Sequence, residues 1–68
     1  MSVSYKKLLH LLVDKGLTTS DLAKMAGLSL NIIGRIKKDE YVSMETIENI
    51  CKVLSCTPND VFEFIEEE

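Results

Sequence analysis

One 20-residue window, residues 19–38, leaves this chain few ways to fold. Two short helices that meet near a right angle across a three-residue turn make specific demands on sequence. The first helix needs a small side chain at the crossing, and Ala23 supplies it. The turn needs a residue that tolerates positive φ, and Gly27 lies four positions on. The next residue should plug the core, as Leu28 can. The second helix must return apolar side chains to the first. Ile33 and Ile36, spaced i, i+3, oppose Leu22 and Ala26, spaced i, i+4. The spacing predicts a helix-turn-helix over 19–38.

Cap signals divide the rest of the chain. Ser4 opens a first helix to about Lys15, with Tyr5, Leu8, Leu9 and Leu12 as its stripe and Gly16 at its left-handed end. Thr18-Thr19-Ser20-Asp21 reads as a capping box, and Ser29 opens residues 30–38. Ser43 opens 44–54, with Met44, Ile47, Ile50, Cys51 and Leu54 on one face. Thr57-Pro58-Asn59-Asp60 predicts a fifth helix that would turn Phe62 and Ile65 inward and Phe64 elsewhere. The expected class is all-α: a compact bundle of five short helices in a single domain, 1–68, with an acidic C-terminal end at 63–68.

The chain has 68 residues, and a domain of that size has a thin core, often supplemented by disulfides, metals or oligomerisation. Cys51 and Cys56 with the single His10 do not make a four-ligand zinc site, so no metal or cofactor is expected. No apolar run approaches the roughly 20 residues of a membrane helix. The first residues read as the approach to a periodic helix and not as a signal peptide. These features point to a reduced, cytoplasmic protein, with oligomerisation as its compensation.

The net charge of −3 hides a strong asymmetry. Residues 1–38 hold seven bases against two acids, a balance of +5, whereas residues 39–68 hold one base against nine acids, a balance of −8. One end can approach a polyanion while the other is repelled, which would orient the molecule. No Ser-His or Cys-His pairing and no Gly-rich phosphate loop suggests catalysis.

The segment Leu22-Ala23-x3-Gly27-Leu28-Ser29, followed by Ile33 and Ile36, resembles the helix-turn-helix of the lambda-repressor-like (Cro or Xre-type) family. The resemblance runs on through Ser43 to Phe62. It implies a transcriptional regulator, commonly a repressor acting as a homodimer on double-stranded DNA with two-fold-related half-sites. A bacterial, phage or plasmid setting is implied too. No small-molecule effector is expected.

In that docking mode the second helix of the motif lies in the major groove. The family's positions then make Leu30, Asn31, Ile32, Gly34 and Arg35 groove-facing. Thr19, Ser20 and Ser29 become phosphate contacts, and Lys37, Lys38, Tyr41 and Ser43 would hold the flanking backbone. Asn31 can pair with an adenine edge and Arg35 with guanine O6 and N7, while Leu30 or Ile32 can pack on a thymine methyl. Leu30 stands where the family is usually polar, and Asp39-Glu40 directly follows the basic Lys37-Lys38. Phe64, with Ile65 beside it, is the candidate dimer surface. The alternative is a protein-interaction module that kept the fold with little or no DNA affinity, a reading motivated by the acidic C-terminal half.

Overall fold

Three serine or threonine caps set where the helices begin. In a computed structural model that describes residues 2–66, Thr18 Oγ1 accepts the Asp21 N–H at 3.1 Å and the Asp21 carboxylate accepts the Thr18 N–H at 2.9 Å. Those two bonds satisfy donors that a helix start otherwise orphans. Ser29 Oγ accepts from Ile32 N–H and Ser43 Oγ from Thr46 N–H. The order is β1 (Ser2–Ser4), α1 (Lys6–Asp14), α2 (Thr19–Ala26), α3 (Leu30–Lys37), α4 (Met44–Leu54), a 3-10 turn (Pro58–Asp60) and β2 (Glu63–Ile65).

Helix ends obey the same logic. Gly16 and Gly27 take φ of +70° and +67°, so α1 and α2 end in left-handed residues. Leu28 N–H then reaches the Ala23 carbonyl at 2.9 Å, which closes the turn between α2 and α3. Asp39 and Ser55 do the corresponding work after α3 and α4, with φ of +57° and +52°.

The core draws on every element except the 3-10 turn and β2. Tyr5, Leu8, Leu22, Ile36, Ile50 and Val61 are the largest fully buried side chains, with Leu12, Ile47 and Leu54 beside them. Leu28, Ala26, Ile32, Cys51, Cys56 and Phe62 pack partly buried around this centre. Cys51 and Cys56 are free thiols. Burial, and the neighbouring Cys51, push the Cys56 thiol up to about 11, which leaves it almost wholly protonated near neutral pH.

The five-helix expectation is corrected to four helices and a small sheet. Thr57 and Asp60 do join as the sequence suggested, Thr57 N–H reaching the Asp60 carboxylate at 3.1 Å. The start signal nucleates only one 3-10 turn. A helix of about eight residues is marginal without packing, and Val61-Phe62-Glu63-Phe64-Ile65 is rich in strand-favouring side chains. The chain instead pairs antiparallel with its own N-terminal segment, Ser2 opposite Ile65, Val3 opposite Phe64 and Ser4 opposite Glu63. Residues 2–4 are thus strand rather than the approach to a helix, and α1 starts at Lys6. Ser4 still contributes, its hydroxyl accepting the Lys6 N–H.

Val61, not Ile65, is the core residue of this segment; Ile65 is 44% exposed. Met44 likewise lies outside the core stripe of α4. Among the described residues no helix is long and apolar enough to cross a membrane. The last two residues of the acidic run, 67 and 68, lie outside the described residues.

Candidate nucleic-acid interface

Helix α3 is amphipathic in the sense a reading helix requires. Ile33 and Ile36 are buried, and Ile32 packs partly buried against the core. Leu30, Asn31, Arg35 and Lys37 are exposed. Asn31 and Arg35 are spaced i, i+4 and share a helix face. Two shallow grooves flank that face. One is bounded by Ser29, Asn31, Ile32, Arg35, Tyr41, Val42 and Ser43. The other is bounded by Leu30, Asn31, Gly34, Arg35, Lys38 and Glu40. Asn31 and Arg35 border both, so they form the ridge between them.

Of the two apolar candidates for a methyl contact, the structure separates Leu30, 86% exposed, from the half-buried Ile32. Gly34 is also informative. It is helical, its φ is not positive, and a Cβ placed there would meet nothing within 4 Å. Glycine inside a helix costs roughly 0.5–1 kcal/mol relative to alanine. Among the described residues, no neighbour of Gly34 requires the side chain to be absent.

The predicted phosphate contacts surround this ridge unevenly. Ser29, Tyr41 and Ser43 border the first groove, and Lys38 borders the second. Lys37 is exposed on the last turn of α3. Thr19 and Ser20 lie on the first turn of α2 and border neither groove. Asp21, on that same turn, has its carboxyl held below the usual range by the Thr18 backbone and hydroxyl. Phe64 and Ile65 sit on β2, 58% and 44% exposed, and border neither groove, although Phe64 lines a hollow that shares Tyr41 and Val42 with the first.

The acid pair after Lys37-Lys38 has a structural explanation that periodicity did not supply. The Asp39 carboxylate accepts the Tyr5 N–H at 3.0 Å, and the Tyr5 hydroxyl donates to the Glu40 carbonyl at 2.7 Å. These bonds latch the loop after α3 to the start of α1. The one signal available for Asp39 was its residue type, since Asp tolerates the left-handed region better than most.

A family profile of the Cro/C1-type HTH DNA-binding domain matches residues 7–67. The chain belongs to the Cro/C1-type helix-turn-helix family. It is 27% identical over 60 residues to the uncharacterized HTH-type transcriptional regulator YozG of Bacillus subtilis (strain 168), across 85% of this chain and 71% of that protein. Among solved structures it superposes on the transcriptional regulator VanUg with a TM-score of 0.94 and 33% identity. That match covers 97% of this chain and 88% of VanUg. The four helices and the small sheet are therefore a Cro/C1-type arrangement, and α2 and α3 are its helix-turn-helix.

Proposed function

We propose that this protein is a DNA-binding transcriptional regulator, a cytoplasmic repressor that covers its operator as a homodimer with α3 in the major groove. The observation that carries this reading is the outer face of α3. Leu30, Asn31 and Arg35 stand out from a Cro/C1-type scaffold beside a glycine the fold does not need. Asn31 and Arg35 read base edges, with Leu30, Ile32 and Gly34 completing the contact surface. Ser29, Lys37, Lys38, Tyr41 and Ser43 hold phosphates beside the groove, and Thr19 and Ser20 offer the first turn of α2 to a more distant one.

The test is fluorescence anisotropy of the purified protein against a randomised duplex pool at low and physiological salt, with bound DNA sequenced. Recovery of a two-fold-related motif supports the reading. Two lysines per protomer beside the groove, Lys37 and Lys38, imply about four neutralised phosphates per dimer. The logarithm of affinity should then fall with the logarithm of salt with a slope near −4. A slope steeper than about −8 would mean that other bases carry the contact.

For the dimer, we place the two-fold contact on the exposed aromatic end of β2. Phe64 packs edge-on against Phe62, with ring centroids 5.5 Å apart, over an apolar hollow that Val3, Tyr41 and Met44 also line. Met44 and Phe64 are 69% and 58% exposed, and Ile65, next to Phe64 along β2, is 44% exposed. Such a contact would need to set the two reading helices about 34 Å apart. Phe64→Ser should shift sedimentation toward monomer at micromolar concentration; an unchanged, concentration-independent coefficient would place the dimer contact elsewhere.

The same exposed apolar patch favours a second reading, a protein-interaction module with weak or no DNA affinity. Absence of binding to any duplex at low salt, from folded protein, selects it.

A further inference from the structure

Leu30 is the most exposed large apolar side chain among the described residues, at 86%, and it opens the helix that carries Asn31 and Arg35. Nothing in the fold uses it. Four residues on, on the same face, Gly34 presents bare backbone. Both border one groove with Asn31, Arg35, Lys38 and the acidic Glu40. The pair thus makes a step on the helix surface: an isobutyl wall at one end, an open floor one turn later, and two cationic side chains alongside.

The chemistry of that step is narrow. A leucine neither donates nor accepts a hydrogen bond, so it is blind to the amine or carbonyl at C4 of a pyrimidine. It responds to the apolar group at C5. The major groove offers one such group, the 5-methyl of thymine, and a methylated cytosine carries the same group at the same position. The neighbouring Arg35 and Lys38 match the polyanion that would bring such a group within reach.

We propose that Leu30 and Gly34 form a notch for a pyrimidine 5-methyl group, so that the protein recognises thymine and 5-methylcytosine alike at one position of each half-site. This rests on the DNA-binding reading above. A methyl group seated against Leu30 over Gly34 leaves water, and each such burial is worth about fourfold in affinity, or about 15-fold when both half-sites of a dimer are methylated. Cytosine methylation at that position would then raise occupancy of a site instead of blocking it.

The experiment uses matched pairs, so that base identity cancels. In the recovered operator, each thymine is replaced singly by deoxyuridine and each cytosine by 5-methylcytosine. A C-for-T exchange at the sensitive position completes the set of four duplexes. The expected result is one position per half-site at which the methyl strengthens binding by about fourfold, in both the T/U and the 5-methylcytosine/C pairs. Leu30→Ala should bind the operator more weakly and show no methyl effect at that position. Gly34→Ala should fold, melt at a higher temperature, and lose the methyl effect because its Cβ fills the floor.

No methyl-sensitive position in the wild type would overturn the proposal. So would an effect that survives unchanged in Leu30→Ala, or one confined to the T/U pair. Folded protein that binds no duplex at low salt would instead overturn the DNA-binding reading itself, and the notch with it.

Discussion

In a titration with the recovered operator, Arg35→Ala is expected to bind roughly 30-fold to 20,000-fold more weakly than the wild type while melting within about 0.5 kcal/mol of it. The separation reflects what Arg35 does in the fold, which is little. Its side chain is exposed on the last turn of α3, and among the described residues the side-chain ion pair joins Lys7 to Glu63 instead. Its backbone carbonyl helps end the helix, accepting from Glu40 N–H at 2.8 Å, and alanine keeps that bond. A bidentate arginine–guanine contact is worth about 1–3 kcal/mol, and a dimer loses two of them. Lys38→Ala gives the contrast. It should weaken binding to all duplexes alike and flatten the salt slope, because a phosphate contact carries no sequence information. If Arg35→Ala binds within twofold of the wild type, the outer face of α3 is not the reading surface.

Legibility in the sequence divides along local against long-range interactions. The helix-turn-helix was legible because each of its demands falls on a named residue within 20 positions. Ala23, Gly27, Leu28, Ile33 and Ile36 all lie where the geometry needs them, and the caps Thr18, Ser29 and Ser43 bond as their types predict. The end of the chain was not legible in that way. Thr57-Pro58-Asn59-Asp60 is a sound helix start, yet the conformation of residues 61–65 depends on whether they find a better partner elsewhere. They find Ser2–Ser4, more than 50 residues away in sequence, and no periodicity within either segment announces it. Ser55 after α4 shows the same gap on a smaller scale. It occupies the left-handed position where glycine is the usual signal. The outward face of α3 was readable from spacing, but the choice between Leu30 and Ile32 was not. That choice depends on which of them packs against the core.

The second large effect is expected at Tyr5, whose role is also long-range. Its spacing with Leu8 and Leu12 marks it as one more member of an apolar stripe. The structure makes it a tie between the first residues of the chain and the loop after α3. Its ring is 1% exposed, its hydroxyl donates to the Glu40 carbonyl, and its N–H is held by Asp39, a residue itself at φ +57°. Removing a buried aromatic side chain costs about 3–5 kcal/mol. A domain of this length holds in total about 0.05–0.15 kcal/mol per residue, so Tyr5→Ala should leave much of the population unfolded at 25 °C. Tyr5→Phe keeps the ring, loses one hydrogen bond, and should cost only about 1 kcal/mol in a urea titration. The Phe variant also isolates a pH effect. Burial raises the Tyr5 phenol above its ordinary value, opposed in part by the backbone around Val42 and assisted by Asp39. A group whose folded pKa lies above its unfolded one contributes stability that is complete below about pH 10 and is lost as pH rises through the folded value. Alkaline unfolding should therefore start above about pH 10 in the wild type and move upward in Tyr5→Phe. The latch also makes a prediction about DNA that stability alone does not. Tyr5→Phe, folded at neutral pH, should weaken operator binding several-fold, because the loop carrying Lys38 and Tyr41 loses its tie through the Tyr5 hydroxyl. If Tyr5→Phe binds as tightly as the wild type, the Asp39 bond alone fixes the loop. Asp39→Ala is then the variant in which binding should fall.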